Sequence, residues 1–322
     1  MMKVFCKRPQ IVKGYRNLIG ADMAEHSSTI SQPRLTVLLI TYNHENFIER
    51  TIQGIEQQRL NEPVDIIVAD DGSTDKTRLI IESRLKEHPR YRVQFLSHSD
   101  RLGTTKNYQR AFAACRTEYV AILEGDDYWT SPTKLVRQLN FLENHYECPA
   151  SATNYLIHDE GTGRFLPRLP IAPAHIYADA PSLIKDNLIG NFSTCMYRTA
   201  SLNRLPSKLF SLKSYDWIVN ICIAREGPIG IISIPMSVYR LHSKGVWNSM
   251  NPTAKLEELA SVIPAYNEVT DRLFIREFSS LLITAKAQTI TASLPKPIRT
   301  IARSIAKRTI CRRVAKDALK EH

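Results

Sequence analysis

The chain has 322 residues, 43% of them apolar and 23% charged, which suits one large α/β domain with an appendage and excludes a chain disordered throughout. Its formal net charge of +11 sits at the two ends: residues 1–34 carry +4, residues 296–322 carry +7, and the body between them is neutral. A nucleic-acid reader carries its basic patch on the folded body, so this pattern points away from nucleic acid and towards an enzyme with basic arms near an anionic surface. The six cysteines are scattered without metal-ligand spacing, as expected of reduced thiols in the cytoplasm. No apolar run approaches the roughly 18–20 residues of a membrane-spanning helix, and no signal peptide is expected.

In chain order, residues 35–40 (LTVLLI) form a short run rich in branched residues and predict a buried strand. A helix is expected over 45–58, from the spacing of Phe47, Ile48, Ile52 and Ile55. Residues 64–69 predict a second strand. A helix over 75–88 follows, capped by Ser73 or Thr74, with Leu79, Ile80 and Leu85 as its inner face. A third strand (92–97), a third helix (105–115) and a fourth strand (118–123) complete the alternation. Strands and helices of these lengths imply parallel pairing in a doubly wound sheet. Beyond a helix at 132–145 and a strand at 150–157, residues 159–181 are rich in Pro and Gly and are expected to be loop. A helix near 216–226, a strand near 229–234 and a helical stretch over 252–292 follow.

In such sheets ligands bind at the carboxyl ends of the strands. Thr41, Tyr42 and Asn43 follow the first strand, Asp70 and Asp71 the second, and Glu124, Asp126 and Asp127 the fourth. Three carboxylates within four residues repel one another unless a cation neutralises them, and Mg²⁺ or Mn²⁺ bridges carboxylates to phosphates. An acidic turn capping the next helix explains the same residues. For the 69–75 turn, with Gly72 and Ser73, a plain helix-capping role is as good a reading as a ligand contact.

Five segments in order, TYN (41–43), ADDGSTD (69–75), EGDDYW (124–129), SYDW (214–217) and YRLHSKGVW (239–247), resemble a family 2 inverting glycosyltransferase of the GT-A fold, over about residues 35–250. The resemblance implies an α/β fold with a mostly parallel central sheet and a helical C-terminal extension. It implies a nucleotide-sugar donor, a UDP-sugar in the commonest case, and a saccharide or lipid-linked saccharide acceptor. Thr41, Tyr42, Asn43, Asp71 and Asp126 would bind the nucleotide. Asp127 and His242 would hold Mn²⁺ or Mg²⁺, and Asp216 would be the catalytic base. Glu124, Trp217, Arg240 and Trp247 would be accessory. The acidic cluster departs from the commoner D-x-D-D form at Glu124, which is therefore not assigned as a direct ligand.

The expected organisation is a basic arm (1–34), a transferase domain (35–250), a helical extension (251–294) and a basic amphipathic arm (295–322). In the last, Ile298, Ile301, Ala302 and Ile305 form an apolar stripe among Arg299, Arg303, Lys307, Arg308, Arg312 and Arg313. Such a helix can lie on an anionic leaflet, placing a cytoplasmic protein at the inner face of the membrane; a solvated basic tail has the same composition. Two alternatives stand beside the transferase. A nucleotidyltransferase needs a Gly-rich basic loop, which the 41–47 turn lacks. A non-catalytic nucleotide-sugar-binding relative would not need Asp127, Asp216 and His242 together.

Overall fold

The computed structural model describes residues 32–96, 100–172, 175–213, 216–242, 250–292, 294 and 305–306. Trp247, Ser214, Tyr215, almost all of the N-terminal basic arm and nearly all of the C-terminal one lie outside the described residues.

The first strand, β1 (Leu35–Thr41), is buried along its whole length. It pairs in parallel with β2 (Val64–Asp70) on one side and β4 (Tyr119–Glu124) on the other. A strand covered on both faces is mostly apolar, hence its branched run; the one hydroxyl inside it, on Thr36, is satisfied by Thr117 Oγ1 at 2.7 Å. Its alternate residues feed two cores. Leu35, Val37 and Leu39 pack with Ile48, Ile52 and Ile55 of α1 (Ile48–Glu56) and Ile81 and Leu85 of α2 (Thr77–Leu85). Leu38 and Ile40 face Tyr108 and Phe112 of α3 (Thr104–Ala114) on the other side. Each fully buried aliphatic side chain contributes about 1.5–3 kcal/mol. β3 (Tyr91–Phe95) is the parallel edge strand beside β2.

Beyond β4 come β5 (Tyr128–Trp129), α4 (Lys134–Asn144), β6 (Ala150–Asp159), β7 (Arg164–Pro167), β8 (His175–Ala178) and α5 (Ala180–Lys185). They are followed by β9 (Cys195–Arg198), α6 (Thr199–Asn203), α7 (Asp216–Ile223), β10 (Ile229–Leu241), α8 (Pro252–Val269) and α9 (Ile275–Ile290). The sheet order is β3-β2-β1-β4-β9-β6-β10-β5, with β7 on β6 and β8 on β10. The pairings β4·β9 and β9·β6 are antiparallel and β6·β10 is parallel. The main strands therefore run one way, with β9 and β5 reversed among them. Ile263, Tyr266 and Val269 of α8 and Phe278 of α9 join the core on the α3 side.

Several local expectations are corrected. The first helix begins at Ile48 rather than Glu45, because Asn43 is left-handed (φ +54°) and the Phe47 and Ile48 N–H groups turn back onto the His44 carbonyl. The second begins at Thr77. Ser73 does not cap it; its hydroxyl is engaged by Asp70 and by the Asn43 N–H, while Asp75 Oδ1 accepts the Thr77 N–H at 2.9 Å. Leu79 is 66% exposed, so the inner face is Thr77, Ile81 and Leu85. The expected loop over 159–181 contains β7 and β8, four residues each and too short to show a strand period among the Pro and Gly. β10 extends to Leu241 through two bulges, between Ile232 and Pro235 and between Pro235 and Ser237.

Candidate active site

The ends of β1, β2 and β4 are tied together by the backbone. The Asp71 N–H donates to the Thr41 carbonyl, and the Gly125 N–H to the Ile40 carbonyl. Gly125 is required by its surroundings: a Cβ there would lie 2.5 Å from Thr41 Oγ1 and 2.6 Å from His44 Nδ1. This close approach brings the 124–127 turn onto the end of β1.

The carboxylates occupy three different environments. Tyr108 donates to Glu124 Oε1 at 2.7 Å; burial, with the nearby charge of Asp126, pushes the Glu124 carboxyl up to about 8. Burial also acts to raise Asp126, but a hydrogen bond with His242 Nε2 (3.2 Å) and the nearby His44 ring (3.7 Å) outweigh it and hold it below the usual carboxylate range. Asp127 is 1% exposed. Burial, then the charges of Asp126 and Glu124, drive it well above its ordinary value. Its Oδ1 accepts the Arg240 N–H at 3.2 Å, the Ser193 hydroxyl favours its ionised form, and its Oδ2 is buried with no hydrogen-bond partner among the described residues. Buried unpaired carboxylate oxygens are costly and mark sites completed by a cation or ligand.

β10 delivers the opposite wall. Val238 pairs with Tyr128 and Ser237 with Trp129, which brings Arg240 and His242 beside the acidic turn. The buried Arg240 guanidinium lies 4.6 Å from the Tyr128 ring centroid and 5.1 Å from that of Phe47. Its Nη1 has no hydrogen-bond partner among the described residues. The His242 ring lies 4.6 Å from Phe47, and its Nδ1 is likewise buried with no hydrogen-bond partner among the described residues. Burial, against the opposing charge of Asp126, keeps the His44 imidazole below its ordinary value.

The residues that follow β1 and β2 form a second group. The Arg101 guanidinium stacks 3.9 Å from the Tyr42 ring centroid. Asp71 is buried and accepts the N–H groups of Leu102 (2.9 Å) and Gly103 (3.0 Å). Asn43 Oδ1 accepts the Thr74 N–H at 2.8 Å, tying the two rim loops together. Thr41 Oγ1 faces His44 Nδ1 at 3.2 Å.

Asp216 is the first residue of α7, where the positive end of the helix dipole favours a carboxylate. Burial nevertheless raises it to about 6, against a hydrogen bond from Asn187. Its charge contributes to the raised value of Glu124, so the two groups share one electrostatic neighbourhood. Trp217 points into the fold instead: its Nε1 donates to the Leu183 carbonyl and its ring meets Tyr266 edge-on.

The fold therefore brings Thr41, Tyr42, Asn43, Asp71, Glu124, Asp126, Asp127, Arg240 and His242 to one rim, with Asp216 electrostatically coupled to it. Sequence reasoning missed His44, Phe47, Arg101, Tyr108 and Asn187. Of these only His44 and Phe47 had a signal, their nearness to the 41–43 motif. Among the described residues, no group of three or more His, Cys, Asp or Glu side chains is gathered as a complete metal site. The arrangement is one or two carboxylates at a rim, which is how Mg²⁺-type sites look when substrate phosphates supply the remaining ligands.

A mostly parallel α/β sheet with an acidic turn and a basic, aromatic wall at its carboxyl rim is the architecture of a GT-A glycosyltransferase. The match of residues 36–205 to the model of "Glycosyl transferase family 2" places it further: the chain belongs to glycosyltransferase family 2. An uncharacterized protein of Mycobacterium tuberculosis is 31% identical over 216 residues, 67% of this chain and 61% of its own length. A Bacillus subtilis protein named, provisionally, the teichuronic acid biosynthesis glycosyltransferase TuaG is 32% identical over 161 residues, 49% of this chain and 60% of its own. The chain thus spans about three-fifths of these relatives. Two solved structures share the fold. TarS 1–349 of S. aureus, in complex with UDP-GlcNAc, has a TM-score of 0.55 at 18% identity, covering 88% of this chain and 92% of that one. The mannosyltransferase PcManGT of Pyrobaculum calidifontis, in complex with GDP-Man and Mn²⁺, has 0.55 at 17%, covering 90% and 80%. Among the described residues no helix is long and apolar enough to cross a membrane.

Proposed function

We propose that this glycosyltransferase moves a sugar, with inversion, from a UDP-sugar to a hydroxyl of a saccharide or lipid-linked saccharide, in cell-surface polysaccharide or glycolipid synthesis. The observation that carries the reading is Asp127 Oδ2, a carboxylate oxygen buried without a hydrogen-bond partner among the described residues, beside two other acidic side chains at the rim. Oxygen and imidazole donors suit Mn²⁺ or Mg²⁺, so Asp127 and His242 fit that ion together with donor phosphates. When bound, it would offset charge on the departing nucleoside diphosphate. The Mn²⁺ and GDP-Man of PcManGT and the UDP-GlcNAc of TarS support the same chemistry.

The chain's own residues do the rest. Tyr42, stacked under Arg101, offers a face for the base, and Asp71 holds the 102–103 backbone beside it. Thr41 and Asn43 shape the pocket, and Asp126 approaches the ribose. Arg240 supplies a desolvated cation towards the diphosphate, and Glu124 and Trp247 act as accessories, whereas Trp217 serves the packing beneath Asp216. Asp216 takes the proton from the attacking hydroxyl; a base titrating near 6 is ionised at pH 7 yet basic enough to accept it. A single in-line displacement inverts the anomeric centre. The basic arms, 1–34 and 295–322, would rest on the anionic inner face of the membrane.

A thermal-shift screen of nucleotide sugars with Mn²⁺ tests the reading. The largest stabilisation is expected from a UDP-sugar with Mn²⁺, and Asp127→Asn should lose the metal-dependent part. No stabilisation by any nucleotide sugar would overturn it.

A further inference from the structure

We infer that Asn187 is a positioning residue for the proposed base: its carboxamide holds the Asp216 carboxylate in one orientation. This rests on the assignment of Asp216 as the base. Asn187 Nδ2 donates to Asp216 Oδ2 at 3.3 Å, while Asn187 Oδ1 accepts the Gly190 N–H at 3.1 Å. The backbone bond fixes which end of the amide faces Asp216, because only the NH₂ end can meet a carboxylate and only the oxygen can meet an N–H.

The turn itself is pinned from two further sides. Arg168 Nη2 donates to the Asn187 carbonyl at 3.2 Å and pairs with Asp186 Oδ1 at 2.8 Å. Gly190 takes φ +80°, and a Cβ there would fall 1.9 Å from the Tyr155 hydroxyl oxygen. The amide thus belongs to a closed turn and cannot rotate without losing both bonds. The Trp217 backbone N–H also bonds the Asp216 carboxylate; Asn187 adds a side-chain hold from outside the helix, and misplacing a reacting group by about 1 Å costs up to about 100-fold in rate.

The hydrogen bond also favours the ionised base against its burial, which otherwise raises it to about 6. The other titratable groups coupled to Asp216 are Glu124 on β4, Tyr108 on α3, Tyr155 on β6, Cys195 and Tyr197 on β9, and Tyr239 on β10. Burial raises the tyrosines and the cysteine, so they stay neutral across the working range. Glu124 titrates within that range and is controlled with Glu124→Gln.

The experiment compares Asn187→Leu, which keeps shape and removes the donor, with Asn187→Ser, a smaller change that serves if the first does not fold. Turnover is measured against pH in wild-type and Glu124→Gln backgrounds, and donor affinity by calorimetry. Expected are a kcat about 10–100-fold lower, unchanged donor affinity, and an acidic limb moved to higher pH, so that the deficit is larger at pH 6 than at pH 8.5. A purely structural defect would lower kcat by the same factor at every pH or weaken donor binding in parallel, and either result overturns the inference. The two readings fail separately. Wild-type turnover in Asp216→Asn removes the base itself. An inactive Asp216→Asn beside a wild-type pH profile in both Asn187 variants removes only the role of Asn187.

Discussion

Replacing Glu124 by Gln should stabilise the metal-free protein, and by an amount that depends on pH. Glu124 is raised from an ordinary 4.5 to about 8 by burial and by Asp126. A carboxyl with a raised folded value binds more protons folded than unfolded between those two pH values. Its destabilising contribution is therefore absent below about 4.5, grows through the window and is complete above about 8. At pH 7 it amounts to about 3 kcal/mol, approaching about 5 kcal/mol at pH 9. Gln cannot ionise, and its Oε1 can still accept from Tyr108, which now donates to Glu124 at 2.7 Å. Burying the new NH₂ group costs about 1 kcal/mol. The net gain should be near zero at pH 5, about 2 kcal/mol at pH 7 and larger at pH 9. In a chain of this size the pH 7 value corresponds to a rise in Tm of about 4 °C. Denaturant melts of both proteins in chelator, at pH 5, 7 and 9, measure it. A difference that stays flat with pH, or shrinks as pH rises, refutes the assignment of a buried, reluctantly ionising Glu124.

Asp216→Asn should lower transfer by at least about 10³-fold with donor affinity kept, and wild-type kcat should fall as pH drops through about 6, since the base is lost on protonation; a pH-independent kcat between 5 and 7.5 contradicts this. Chelator should stop transfer and Mn²⁺ or Mg²⁺ restore it, in a radiolabelled-donor assay; full activity in chelator removes the metal from the reading. Gly125→Ala should cost about 1–3 kcal/mol of stability and weaken donor binding, because its Cβ would press on Thr41 and His44; unchanged melting and binding would show that this packing yields. Deleting residues 296–322 should abolish flotation with anionic liposomes; equal flotation by both forms removes that arm from the membrane reading.

The parallel half of the sheet was legible because β1, β2 and β4 are covered on both faces and so must be written as apolar runs. The rim was legible for the same reason: polar residues directly after such strands stand out. What failed was structure without that constraint. β5 is two residues long, and β7 and β8 are exposed edge strands among Pro and Gly. The start of α1 was displaced by the left-handed Asn43, which apolar periodicity does not register. Within the site, Tyr108, Arg101 and Asn187 lie 16, 30 and 29 residues from Glu124, Asp71 and Asp216, the groups they serve. Each belongs to a helix or loop whose local pattern is ordinary, so its role exists only once the chain is folded.

The two bulges in β10 have a consequence for how this sequence can vary. They divide the strand into an upstream length that pairs with β8 and a downstream length that presents Arg240 and His242. Side chains alternate along a strand, so Arg240 and His242 share a face and Leu241 takes the other. Deleting one residue between Ser237 and Arg240 would turn Leu241 towards the acidic turn and swing both basic groups away. The same deletion upstream of Pro235 meets a segment whose register already slips and can be absorbed there. Length changes should therefore accumulate on the near side of the bulges, while the last five residues of β10 keep a fixed count.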